Sequence, residues 1–259
     1  MLQGSGGYMF VEERKFEIIE YLKRKKKATV AELCDHFDVS RTTIRTDLSD
    51  LELHGAIIRT HGGAILKSKT GLDLDIRTKT VQHIEAKKKI AKLAIDLVEE
   101  GDTIVLDTGS TIQEFAKLLG QKRDITVVTN DLIISLTCED FEAVSVILLG
   151  GTVMCRYHCT LDDTGGEIMS ELSVDKAFMG TTGFTADKGA SVPDLNHARL
   201  KRRMTEIANT VILLADSSKF GKNSFAQYAT PDMFDIIVTE EANPYVSHET
   251  ERTDIEVLC

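Results

Sequence analysis

Apolar positions along the chain change their period as the sequence proceeds. Near the amino terminus they recur at helical spacing: Phe16, Ile19 and Leu22 fall at i, i+3, i+6, and Ile18 pairs with Leu22 at i, i+4. This predicts a first helix over residues 12–24. Thr29 is placed to cap a short second helix, with Glu32 at the reciprocal capping-box position. Val30, Leu33, Cys34 and Phe37 line one side of that helix. Asp38, Val39 and Ser40 make a turn, and Ser40 is a good cap for a third helix that turns Ile44, Leu48 and Leu51 inward. After Gly55, two β-prone runs at 56–60 and 64–66 flank His61, Gly62 and Gly63. They predict a small hairpin wing.

Residues 67–82 are polar and poorly patterned and read as a linker, drawn to residue 84. From Glu85 a helix follows, with Ile90, Leu93, Ala94 and Leu97 on one face and Gly101 at its end. Then come short β-branched runs at 103–107, 125–129, 144–149, 176–179, 210–215 and 236–238, most of them separated by helix-competent segments. Their apolarity is continuous rather than alternating, which suits strands buried on both faces. The fold class expected is therefore α/β: a small three-helix domain with a wing at 11–66, a linker at 67–84, a mainly parallel α/β domain at 85–241 and a polar tail at 242–259.

Charge sharpens this division. Residues 9–70 carry 12 Lys/Arg against 10 Asp/Glu, whereas the remainder nets −12 within a chain total of −10. An acidic body repels nucleic acid at long range, so only the front segment is suited to approach DNA. No run nears the roughly 18 uninterrupted apolar residues of a membrane helix, so no membrane partner is expected. The first eight residues have neither a basic front nor an apolar block, unlike a secretory signal. Five scattered cysteines, an odd number, point to a reducing cytoplasm. Cys155, His158 and Cys159 lack a second ligand pair at finger spacing, and no metal is expected.

The third helix carries the sharpest chemistry. With its aliphatic residues inward, its opposite side shows Arg41, Thr42, Arg45 and Thr46, with Ser40 and Thr43 at its start. Arginine pairs bidentately with guanine O6 and N7, and threonine contacts phosphate or a thymine methyl. A short helix, a tight turn and a longer exposed helix match helix-turn-helix docking in the major groove, with Arg59 and His61 of the wing on the backbone or a neighbouring groove. A helical protein–protein module is the competing reading. The basic run at 23–27 is either a solvated helix end or a phosphate contact.

In parallel α/β sheets ligands bind beyond the carboxyl ends of the strands. There the sequence places Asp107, Gly109, Ser110 and Thr111 before a helix over 112–119, then Thr129 and Asn130, then Gly150 and Gly151, and later Asp216 and Lys219. Glycine permits the tight turn, backbone N–H groups and hydroxyls offer an anion site, and the lysine adds an ammonium. The 107–111 loop is neither a Walker loop nor a dinucleotide fingerprint, and no cofactor is expected. Plain capping and turn chemistry competes at each position taken singly.

Arg14, Ile18 and Leu22, then Ser40, Thr43, Ile44, Arg45, Asp47 and Leu48, then Leu51, Glu52 and Gly55, then Arg59, His61, Gly62, Gly63 and Ala64, form a spacing that resembles the DeoR family of bacterial sugar-metabolism regulators. The similarity extends through Asp107, Gly109, Ser110 and Thr111, Thr129 and Asn130, Gly150 and Gly151, Asp175, Phe178, Gly180 and Gly183, Lys201 and Arg202, and Asp216 to Phe220. It spans about residues 11–240. The resemblance implies an effector domain like the ribose-5-phosphate isomerase and CoA-transferase-like fold, with a phosphorylated sugar as ligand. On it, the 107–111 loop holds phosphate, while Asp107, Thr129, Asn130 and Lys219 line the sugar. It also implies a homo-oligomer, dimer or tetramer, and suggests Met9 as the native start.

Three departures stand out. Thr46 occupies a place the family usually gives to a second basic residue, which puts one DNA contact in question. His197 stands where a glutamate usually precedes the alanine matched by Ala198. The 152–166 stretch differs, with Cys155, Cys159, Asp162 and Asp163. The reading is thus a DNA-binding repressor of a bacterial carbohydrate operon, with duplex operator DNA and a sugar phosphate as partners. The alternative is a sugar-phosphate isomerase or deaminase-like enzyme. That requires a base beside the carbonyl; related isomerases use glutamate, and His197 reads more simply as a surface imidazole.

Overall fold

The computed structural model describes residues 10–53, 56–66, 76–161, 168–242 and 255–259. The expectations for residues 1–9, Gly55, Asp162, Asp163 and the larger parts of the linker and tail fall outside them. The chain divides into two compact units, Met1–Gln82 and His83–Cys259.

In the first unit α1 (Val11–Lys25) leads into β1 (Lys27–Thr29), α2 (Val30–Phe37), α3 (Arg41–Leu53), β2 (Ile57–Thr60), β3 (Gly63–Leu66) and α4 (Ile76–Val81). Thr29 caps α2 through the predicted reciprocal box: its hydroxyl accepts from Glu32 N, and Glu32 Oε2 accepts from Thr29 N. Ile18, Ile19, Leu22, Leu33, Ile44 and Leu48 are fully buried together, so the helical spacings converge on one core. The wing gains a third strand that the apolar pattern does not announce. β1, at the end of the basic run, pairs antiparallel with β3, giving the order β1-β3-β2. Gly63 is required there, because a Cβ would lie 2.1 Å from Ala28 O. The linker expectation needs correction over Ile76–Val81: this segment is helical, with Ile76 buried, and packs against α1.

The second unit runs through α5 (Ile84–Ala94), β4 (Thr103–Leu106), α6 (Ser110–Ala116), β5 (Ile125–Thr129), α7 (Leu132–Glu139), β6 (Val144–Leu148), β7 (Thr152–Met154) and β8 (Cys159–Leu161). It continues with β9 (Val174–Met179), β10 (Gly183–Thr185), β11 (Gly189–Val192), α8 (Leu195–Glu206), β12 (Ala208–Leu214), β13 (Ala226–Ala229), β14 (Ile236–Val238) and β15 (Glu256–Leu258). Seven strands form a parallel sheet ordered β15-β14-β12-β9-β4-β5-β6. Its alternate residues enter two different cores. Ile104, Leu106, Val127, Phe178 and Ile212 face one, and Val105, Val128, Ala177, Met179 and Leu213 face the other. Burial on both faces is why the central strands read as unbroken apolar runs; the run at 144–149 departs from that expectation, because β6 is an edge strand and leaves Ile147 and Leu148 exposed.

Two small antiparallel sheets, β10-β11-β13 and β7-β8, complete the unit. The tail expectation is also corrected: β15 pairs parallel with β14, so residues 256–258 are a sheet edge, with Ile255 buried beside them. A three-residue strand is too short to rise above its polar surroundings in sequence. No described helix is long and apolar enough to cross a membrane.

Candidate functional site

On the first unit, α3 is seated by aliphatic packing and by ion pairs beneath it. Arg14 grips Asp47 with two hydrogen bonds, Nε to Oδ2 at 2.6 Å and Nη2 to Oδ1 at 3.2 Å, both side chains buried. Lys15 Nζ reaches Asp50 at 2.6 Å and Glu12 at 2.7 Å. These contacts tie α1 to the inner side of α3 and leave the outer side open.

That outer side exposes Arg41, Thr42, Arg45 and Thr46, and neither arginine forms an ion pair among the described residues. Ser40 and Thr43 do different work. Ser40 Oγ accepts from Thr43 N at 3.1 Å and lies 2.9 Å from Thr43 Oγ1, so both hydroxyls begin the helix. Thr46 Oγ1 donates to Thr42 O at 3.0 Å, which turns its methyl rather than its hydroxyl toward any partner. From the wing, Arg59 Nη1 donates to Ser49 Oγ at 2.8 Å, and its backbone N–H donates to Glu52 at 3.0 Å. The wing arginine is thereby held against α3. His61 is exposed at the wing tip, and the next residue, Gly62, has φ +89° and accepts a hydrogen bond from Val30 N. Arg14 and Asp47 stand in the sequence pattern without a role there, and Ser49 carries no sequence signal.

On the second unit, the order β12-β9-β4-β5 brings four polar strand ends side by side: Asp216, Gly180, Asp107 and Thr129 with Asn130. Asp107 is buried and ion-paired with buried Lys201 of α8, and its carboxylate also accepts from Gly180 N at 2.8 Å. Lys201 Nζ donates to Gly180 O as well, and Tyr228 OH donates to the same carbonyl at 2.8 Å. Lys201 was visible in the sequence only as one of a basic pair on a helix. A lysine in such a place normally lies in solvent.

The 107–111 turn passes through Gly109 at φ +154°, a backbone conformation suited to glycine, into α6, which starts at Ser110. Ser110 and Thr111 are buried in its first turn. The Thr129 hydroxyl donates to Leu106 O at 2.7 Å and accepts from Asp131 N at 3.1 Å, joining β5 to β4.

Asp131, which no motif in the sequence singles out, organises this corner. It caps α7 by accepting from Ile133 N and Ile134 N, and it receives Thr108 Oγ1 at 2.8 Å and Gln113 Nε2 at 3.1 Å. Burial pushes its carboxyl above the usual range despite those donors. Lys219 lies in a short turn after β12, its Nζ 3.6 Å from Asp216 Oδ2. Burial raises the Asp216 carboxyl, but Lys219 and Ser218 outweigh it and hold the group below its ordinary value.

The β7–β8 hairpin is fastened over the end of β5. Asn130 Nδ2 donates to Thr160 O at 2.8 Å, Thr160 N donates to Asn130 O at 2.9 Å, and Leu132 N donates to His158 O at 2.8 Å. This places Cys159 against His197 near the start of α8, with Sγ 3.3 Å from Nε2 and the Tyr157 ring edge-on to the imidazole. His197 is therefore buried, not the surface imidazole the sequence suggested. Helix α8 begins at a cap in which Asp194 accepts from His197 N, and the position sits under the hairpin. Among the described residues no His, Cys, Asp and Glu cluster could hold a metal ion.

A model of the DeoR C-terminal sensor domain matches residues 82–241, and one of the DeoR-like helix-turn-helix domain matches residues 14–70. Over 258 residues the chain is 36% identical to the HTH-type transcriptional repressor GlcR of Bacillus subtilis (strain 168), with 96% of each protein covered. It is 30% identical over 232 residues to the glycerol-3-phosphate regulon repressor of Escherichia coli (strain K12), covering 90% of this chain and 92% of that one. Among solved structures, a ribose 5-phosphate isomerase A from Methanocaldococcus jannaschii aligns at a TM-score of 0.40 and 21% identity, over 54% of this chain and 55% of that one.

Proposed function

The chain belongs to the DeoR family of transcription regulators, and from that premise we propose that it represses a carbohydrate operon and responds to a phosphorylated sugar. It is a DNA-binding regulator, not an isomerase or deaminase. The exposed face of α3 enters the major groove of the operator. Arg41 and Arg45 read guanine edges, Thr42 and Thr46 lie on phosphates or thymine methyls, and Arg59 and His61 of the wing follow the backbone. Ser40 and Thr43 set the angle of that helix through its cap. The observation that carries the DNA reading is the pair of exposed arginines on a helix that buries Ile44, Leu48 and Leu51 on its other side.

Repression and a phosphorylated effector are supported by the names of the two relatives and by the polar row at the strand ends. Gly109, Ser110 and Thr111 receive the phosphate, with Lys219 supplying positive charge. Asp107 and Asn130 face the sugar, and Thr129 holds the turn in register. The protein works in the cytoplasm as a homo-oligomer, dimer or tetramer, because paired recognition helices match half-sites about 34–36 Å apart. The effector acts by binding more tightly to the oligomer geometry that misfits the operator. A thermal-shift screen of sugar phosphates, repeated with the adjacent promoter fragment, tests this reading. A sugar phosphate that stabilises the protein and alters promoter affinity is the expected result. Stabilisation by none of the panel refutes the effector.

A further inference from the structure

Beside Asn130, which the reading above turns toward the sugar, stand two buried groups that it gives no role. Cys159 Sγ meets His197 Nε2 at 3.3 Å, both residues buried. Asn130 is also buried, and its Oδ1 accepts no hydrogen bond among the described residues. A thiol is a weak hydrogen-bonding partner, and a buried amide oxygen without a donor carries a desolvation penalty. Aliphatic side chains would close the space under a hairpin at lower cost, so polarity here calls for a reason.

Position supplies one. Asp131 and Cys159 form a β-bridge, and Asn130 holds Thr160, the neighbour of Cys159, by two hydrogen bonds. On α8, His197 precedes Lys201 by one turn, so the two share a face, and Lys201 lies on Asp107. Amide, thiol and imidazole thus adjoin the strand ends from which Asp107 projects.

We propose that Asn130, Cys159 and His197 form the part of the effector site that recognises the hydroxyl groups of the ligand's carbon chain, and so set which phosphorylated sugar this chain answers to. The inference rests on the sugar-phosphate reading above. Asn130 Oδ1 accepts from one hydroxyl. His197 exchanges its contact with the thiol for a second hydroxyl, as donor or acceptor according to its tautomer. Cys159 supplies a polarizable wall and no nucleophile: burial, with Asp131 and Asp107 nearby, pushes its thiol up to about 12. A site that hydrogen-bonds a hydroxyl rejects the analogue lacking it far more strongly than an apolar pocket does.

The test measures binding of inorganic phosphate and of aldose, ketose and deoxy sugar phosphates to the full chain by calorimetry. Cys159→Ala and His197→Gln are compared with the parent, and Cys159→Ser serves as the conservative variant in case a larger change prevents folding. The expected result is a change of roughly tenfold or more in the ratio of affinities between hydroxylated and deoxy ligands. Inorganic phosphate binding should stay within about twofold, and Cys159→Ser should fall between the parent and Cys159→Ala. Equal loss for all ligands, or an unchanged ratio, overturns the inference while leaving the sugar-phosphate reading intact. If the parent binds neither inorganic phosphate nor any sugar phosphate, both fail.

Discussion

Around α3 the arginines face outward and form no ion pairs among the described residues, whereas at the ends of β4 and β9 the charged groups are buried and already engaged with one another. The DNA-reading surface depends on packing from behind: Ile44, Leu48 and the Arg14–Asp47 pair fix the helix, and the reading side chains contribute little to folding. In the sensor unit the side chains proposed to form the site, Asp107 among them, also hold the fold. Function and stability should therefore separate cleanly in one region and remain entangled in the other.

The largest effect expected from this contrast is on Lys201. Lys201→Ala leaves Asp107 buried without its cation, which should destabilise the sensor unit by roughly 3–5 kcal/mol. Urea unfolding followed by circular dichroism measures it, and an unchanged midpoint would show that the pair is dispensable. Asp107→Ala is a poor probe of ligand binding for the same reason.

Arg45→Ala should behave oppositely. Operator affinity falls by about 1–3 kcal/mol, with no change in the unfolding midpoint. Equal affinity for operator and scrambled duplex in both proteins would remove Arg45 from base reading. The smallest effect is expected at Thr46, whose hydroxyl is turned back to Thr42 O. Thr46→Arg restores a basic group and should steepen the dependence of log affinity on log salt by about 0.9. An unchanged slope places this position away from the phosphates.

The same contrast governs how much was legible in the sequence. The helices of the first unit were readable because Ile44, Leu48 and Leu51 follow one period and Thr29 with Glu32 form a local cap. Strand β1 was not, because only pairing with distant β3 makes Lys27–Thr29 extended. In the sensor unit, continuous apolar runs announced the parallel strands, and the polar turns after them mark where the proposed site lies. Its wiring stayed hidden. Lys201 enters the sequence pattern only beside Arg202 in the family spacing and Asp131 not at all, while Cys159 and His197 are 38 residues apart and meet only when the hairpin folds over β5. The bond from the Thr129 hydroxyl to the neighbouring strand was equally hidden, since it forms only when β5 pairs with β4.

Capture of a sugar phosphate in one unit should change DNA binding by the other. Fluorescence anisotropy with the full chain and its promoter fragment tests it directly, with and without the sugar phosphate that stabilises the protein. Operator affinity should shift by roughly 5- to 150-fold at saturating effector, and by less in Lys219→Ala. Identical binding curves, with effector occupancy verified in the same samples, would contradict it.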